Sequence, residues 1–135
     1  MMDDKDKGQG ATGGDGQPRL DYEVHDDAAK KLAHVRLKGR IDVFNYLQLS
    51  GALGDVAGDR QGLTLVLDLS EVVFIASSGW SVLLGVRSRL KRNQSRLVLV
   101  GMPPHLERIY QAMKLPVLIP AYPSLAEAET ALAQG

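Results

Sequence analysis

The sequence has no cysteine among its 135 residues. That excludes disulfides, thiolate metal sites and cysteine nucleophiles together, and it fits a reducing compartment. Net charge is also missing, because sixteen Lys and Arg balance sixteen Asp and Glu. No global field is available to hold a nucleic-acid backbone or an anionic bilayer. No apolar run approaches membrane-spanning length, and the opening MMDDKDKGQGATGGDGQPR lacks the apolar stretch of a signal peptide. The expectation is a cytoplasmic protein with no nucleic-acid partner and no direct membrane insertion. Residues 1–19 also lack Leu, Ile, Val and aromatic side chains while carrying five of the fourteen glycines. Such a segment cannot offset the entropy of being ordered, so a disordered tail is expected there.

From Leu20 onward the composition is that of one domain, residues 20–135, in a chain that is 44% hydrophobic overall. Leu20, Tyr22 and Val24 alternate with polar residues, as do Ala33, Val35 and Leu37, which predicts two half-buried strands joined through DDAAK as an edge hairpin. Tyr46, Leu49, Leu53 and Val56 then recur at helical spacing, although Gly51 and Gly54 weaken that helix by roughly 1 kcal/mol each. LTLVLDL, residues 63–69, is apolar almost throughout and reads as a central strand covered on both faces. A short turn and VVFI follow it.

A second helix is expected after Ser77, with Val82, Leu83, Val86 and Leu90 inward and Arg87, Arg89, Lys91 and Arg92 toward its C-terminal end. RLVLVG reads as the next strand. Pro103 and Pro104 open a helix that points Leu106, Ile109, Tyr110 and Met113 inward, and VLI at 117–119 reads as a short strand. Ser124 and Glu127 form a capping box for a last helix. The fold class is therefore α/β: a mostly parallel central sheet with an N-terminal edge hairpin and about four helices.

FIASSGWSVLL, residues 74–84, places two hydroxyls and a glycine at the start of the second helix. In such sheets the crevice beyond the strand ends is the usual place for ligands. A helix start leaves backbone N–H groups unpaired and favours negative charge, so a phosphate on Ser77 would be held rather than repelled. The plainer alternative is that Ser77 or Ser78 caps the helix, worth about 1 kcal/mol, while Gly79 allows close packing.

LDLSEVVFIASSGWSVLL, preceded by VRLKGRID and followed by RLVLVGMPPHLERIYQAMKL, resembles the STAS-domain anti-sigma factor antagonists of bacterial partner-switching systems. The resemblance runs from about Leu20 to Leu132. It implies a protein that binds a serine kinase of the anti-sigma type when unphosphorylated and is released once that kinase phosphorylates it, with a phosphatase to reset the cycle. The family's acceptor, the first serine of its Asp-Ser-Ser-Gly motif, falls on Ser77. The motif's aspartate is Ala76 here, and the usual Leu-Gly after it is Trp80-Ser81. Asp42 in GRID matches the family's aspartate near the acceptor, and its plainer reading is an anion in the first turn of the first helix. Ser78, Gly79 and Trp80 join Asp42 as supporting or partner-binding candidates, Trp80 either in the core or as an exposed anchor. The run Arg87, Arg89, Lys91, Arg92 and Arg96 is either a contact for an acidic partner or a solvated face.

An enzyme needs a nucleophile with a base. Ser77 lacks a Gly-x-Ser-x-Gly elbow, and His25, His34 and His105 read as surface residues with no triad or metal spacing. No phosphate-cradling Gly-x-x-x-x-Gly-Lys-[Ser/Thr] loop is present. The expectation is a non-enzyme without cofactor or metal. An unswitched STAS adaptor, or an accessory subunit of a transporter or signalling scaffold, is the alternative, since one fold hosts both roles.

Overall fold

The computed structural model describes residues 20–134; the tail expected over residues 1–19 lies outside them. Five strands form one sheet in the order β1-β2-β3-β4-β5. They are β1 (Asp21–Asp27), β2 (Leu32–Ile41), β3 (Thr64–Ile75), β4 (Arg96–Val100) and β5 (Ala121–Tyr122). β1 and β2 form the antiparallel hairpin, and the remaining pairs are parallel. Helices α1 (Tyr46–Ala57), α2 (Ser77–Arg92), α3 (Pro104–Ala112) and α4 (Leu125–Gln134) make the crossovers and the C-terminus. The expected fold class and element order hold.

The core lies between one sheet face and α1, α2 and α3. Leu65, Leu67 and Leu69 of β3 and Val35 and Leu37 of β2 meet Leu49 and Leu53 of α1, Leu83 and Leu90 of α2, and Leu106 and Tyr110 of α3. The opposite face is covered in part by α4, where Ala128 is buried against Leu32, Val66, Val98 and Val100. Every fully buried leucine is worth roughly 1.5–3 kcal/mol relative to exposure, so this two-sided burial of β3 anchors the domain.

β3 is longer than its sequence suggests. No turn interrupts it after Leu69; it runs on through SEVVFI to Ile75. Two register shifts against β2, between Arg36 and Lys38 and between Gly39 and Arg40, absorb the irregularity. Each adds one residue to β3, so Val72 and Ile75 face the core while Ser70, Glu71, Val73 and Phe74 stay exposed. Gly39 has φ +84°, a conformation that a side chain disfavours, which explains a glycine beside these bulges.

Two further expectations change. VLI does not form a strand: Lys114 adopts a left-handed φ of 59° and Leu115–Val117 is a 3-10 turn containing Pro116, which delays β5 to Ala121–Tyr122. Ile109 and Met113 are not inward. α3 ends at Ala112, Leu106 and Tyr110 already fill its buried face, and Leu115 and Ile119 take the next core positions. At α4 one half of the capping box is present, the Glu127 amide donating to Ser124 Oγ at 3.1 Å.

Candidate functional site

The C-terminal ends of β2 and β3 lie side by side, Ile41 paired with Ile75. The next residue on β3's side, Ala76, donates its N–H to the Ile41 carbonyl at 2.8 Å. One step further, Asp42 and Ser77 therefore leave neighbouring strands at the same end of the sheet.

Ala76 is the N-cap of α2, with φ −74° and ψ 168°, and no side chain caps the helix. The capping reading of Ser77 and Ser78 is thus overturned: both lie inside the first turn. The Ala76 carbonyl accepts from Gly79 N and Trp80 N at 2.9 and 3.1 Å, while the amides of Ser77 and Ser78 have no partner among the described residues. No acidic residue occupies that turn. The first turn of α2 consequently presents backbone donors that no side chain caps, at the positive end of a 16-residue helix. Ser77 is exposed there, and Ser78 Oγ is buried without a hydrogen-bond partner.

Gly79 is buried, and a Cβ on it would sit 2.8 Å from the Cγ2 atoms of both Ile41 and Ile75. The first turn of α2 rests directly on the strand ends, and only glycine allows that approach. Trp80 is 2% exposed and packs in the main core, which decides between its two readings: it is not an exposed anchor.

Asp42 is not a residue of the first helix. α1 begins at Tyr46, and Asp42 heads a tight turn before it. Its Oδ1 accepts from Phe44 N at 3.0 Å, and its own amide donates to Asn45 Oδ1 at 2.9 Å. Asn45, only 6% exposed, also donates from Nδ2 to the Arg40 carbonyl at 2.8 Å. This buried amide ties the turn together, and the sequence pattern gave no hint of it. Val43 and Phe44 in the turn and Leu47 in the first turn of α1 are exposed at 66%, 59% and 69%, and Val73 and Phe74 are exposed at the bulged end of β3. Arg40 crosses the Phe74 ring at 4.6 Å and stands 3.8 Å from Asp42 Oδ2. The apolar letters of VFNYL and VVF were visible in the sequence, but helical and strand periodicity assigned them no outward role.

The other candidates lie elsewhere. Arg87 Nε donates to the Leu118 carbonyl, Arg96 Nε to Thr64 Oγ1, and Arg89 packs against Gly54, so much of the basic run is engaged within the domain. His34 is not a surface residue; its side chain is 13% exposed and stands 3.4 Å from Asp68 Oδ2. His105 Nε2 lies 2.8 Å from the Val73 carbonyl and carries the proton in that bond. Among the described residues no cluster of three His, Asp or Glu could hold a metal, and no helix is long and apolar enough to cross a membrane. A groove between β1 and α1 and another beside α4 are lined by neither Ser77 nor Asp42.

The strand ends and the start of α2 together define a small α/β domain with an exposed serine in the first turn of its second helix. The chain belongs to the STAS domain family, whose model matches residues 19–128. It is 33% identical over 81 residues to the anti-sigma-B factor antagonist of Listeria monocytogenes, a match that covers 60% of this chain and 70% of that one. Among solved structures, an anti-sigma factor antagonist from Mycobacterium paratuberculosis superposes with a TM-score of 0.73 at 28% identity, covering 90% of this chain and 97% of that one. The anti-sigma factor antagonist SpoIIAA in its unphosphorylated form gives 0.69 at 18% identity, covering 84% and 97%. The Bacillus cell fate determinant SpoIIAA in its phosphorylated form gives 0.62 at 18%, covering 82% and 98%. At that identity the SpoIIAA likeness speaks for the fold.

Proposed function

We propose that this chain is an anti-sigma factor antagonist that binds a serine kinase of the anti-sigma type through the rim around Ser77, and that phosphorylation of Ser77 by that kinase ends the complex. One observation carries the reading: Ser77 is exposed in the first turn of α2 at an uncapped set of amides, at the same end of the sheet as a rim of exposed Val43, Phe44, Leu47, Val73 and Phe74. The rim supplies area for a partner. The serine supplies the switch. A phosphate there carries about −1.5 to −2 charges, is stabilised locally by the helix start, and brings charge and bulk into the contact surface. A loss of about 3 kcal/mol weakens binding more than a hundredfold. That the same fold is found in SpoIIAA in unphosphorylated and phosphorylated forms supports a fold that tolerates the modification. On this reading Asp42, at the neighbouring strand end, is the carboxylate that meets the kinase, and a phosphatase would reverse the mark.

The absence of a carboxylate at Ala76 favours a second reading, an unswitched STAS adaptor or accessory subunit of a transporter or scaffold. Intact mass after incubation with the organism's anti-sigma serine kinase and ATP separates the two. One added phosphate on wild type and none on Ser77→Ala is expected; an unmodified wild type selects the adaptor.

A further inference from the structure

Within the rim, Arg40 has donors to spare. It lies at the end of β2, opposite Phe74 in the sheet register, with its guanidinium carbon 4.6 Å from the ring centroid and its side chain 61% exposed. Among the described residues its carboxylate neighbour is Asp42, whose Oδ2 lies 3.8 Å from Nε, beyond hydrogen-bond distance, while Oδ1 accepts from the Phe44 amide. The terminal amino groups of Arg40 donate to no atom of the described residues. The other charges at this end of the sheet answer each other: Lys38 stands 3.7 Å from Glu23 and 3.9 Å from Glu71. The Phe74 ring restrains the guanidinium 4.6 Å away while the side chain stays largely exposed, so its donors remain accessible. A planar donor fork stacked on an aromatic ring and open to solvent suits recognition of a carboxylate on a protein surface, because arginine pairs with carboxylates through two parallel hydrogen bonds.

We propose that Arg40 is the specificity-determining residue of this surface: it pairs with a carboxylate that the kinase presents. This rests on the kinase-binding reading above and names the chemistry the kinase must bring. Asp42, nearby, then disfavours partners that place a carboxylate one position off, so the two charges fix the docking register.

The test is calorimetric titration of the unphosphorylated chain with the recombinant anti-sigma serine kinase of the same organism, in ADP, at low and high salt. Arg40→Gln should weaken binding about tenfold or more, Arg40→Glu further, and Arg40→Lys, which keeps the charge without the planar stack, should fall between wild type and Arg40→Gln. The salt dependence should flatten in Arg40→Gln. In phosphorylation assays KM should rise with kcat unchanged, which a general loss of structure would not produce. Wild-type affinity and salt slope in both Arg40→Gln and Arg40→Glu overturn the assignment of Arg40 and leave the kinase reading intact. A wild-type chain that fails to bind the kinase overturns both.

Discussion

The amide of Ala76 donates to the carbonyl of Ile41 at 2.8 Å, and this one bond stitches the mouth of α2 to the end of β2. It continues the parallel β2–β3 ladder by one rung past its last paired residues. Through it the Asp42 turn and the Ser77 turn, 35 positions apart in sequence, share a backbone frame.

Gly79 is where that frame is tightest. Gly79→Ala places a methyl 2.8 Å from two isoleucine Cγ2 atoms. Overpacking of this kind costs about 1–3 kcal/mol, which exceeds the roughly 1 kcal/mol that alanine returns through helix propensity. Net destabilisation in urea unfolding is the expected result. A variant as stable as wild type would show that the first turn of α2 can lift away from the strand ends.

Asn45 holds the Asp42 turn from beneath. Asn45→Ala strands the Asp42 amide and the Arg40 carbonyl at a position only 6% exposed, at a cost of about 1–3 kcal/mol. Asn45→Asp keeps the acceptor for the Asp42 amide and loses the donor, so it should fall between alanine and wild type. Under the proposed function, Asn45→Ala also weakens kinase binding more than its stability loss explains. Denaturant titration beside kinase affinity measures both.

Acid should weaken the domain through Asp68. Burial raises this carboxyl, but the Ser70 amide at 2.9 Å, the Ser70 side chain and the neighbouring His34 and Arg36 outweigh it, and its pKa lies below the ordinary value. A carboxylate with a lowered folded pKa contributes stability that is present above its unfolded value, near pH 4, and lost as pH falls through the folded one. Melting temperatures of wild type and Asp68→Asn should therefore differ at pH 7 and converge as pH drops below about 4. A difference that stays constant across that range would locate the effect of the substitution in packing instead.

The edge hairpin, the central strand and the four helices were legible because each follows from a run of one periodicity: alternation at Leu20–Val24, a continuous apolar block at 63–69, and helical spacing from Leu83 to Leu90. What escaped was set by tertiary context. Ser70 and Glu71 break the apolar run of β3 and read as a turn, whereas pairing with β2 carries the strand past them by bulging. The same bulges turn Val73 and Phe74 outward, so part of the rim had no periodic signature. Ser77 was legible as a helix-start serine. That Ala76, not a hydroxyl, occupies the cap was settled by where the β3 ladder ends.

That cap also offers the sharpest test of the helix mouth. Ala76 already has the extended backbone of an N-cap, so Ala76→Asp needs no rearrangement to bring a carboxylate onto the open amides of α2. The expected gain is about 1 kcal/mol, or a few degrees in Tm. The introduced carboxylate occupies the donors that a phosphate on Ser77 would otherwise use and repels it besides. Phosphorylation should raise the Tm of wild type, where no side chain caps the mouth, and raise it less or not at all in Ala76→Asp. Kinase affinity of the unphosphorylated forms gives the complementary reading: a carboxylate absorbed by the amides leaves binding unchanged, whereas one that turns outward alters it. Equal thermal gains in the two proteins would mean that the phosphate rests in solvent, and the open amides would then have no part in the switch.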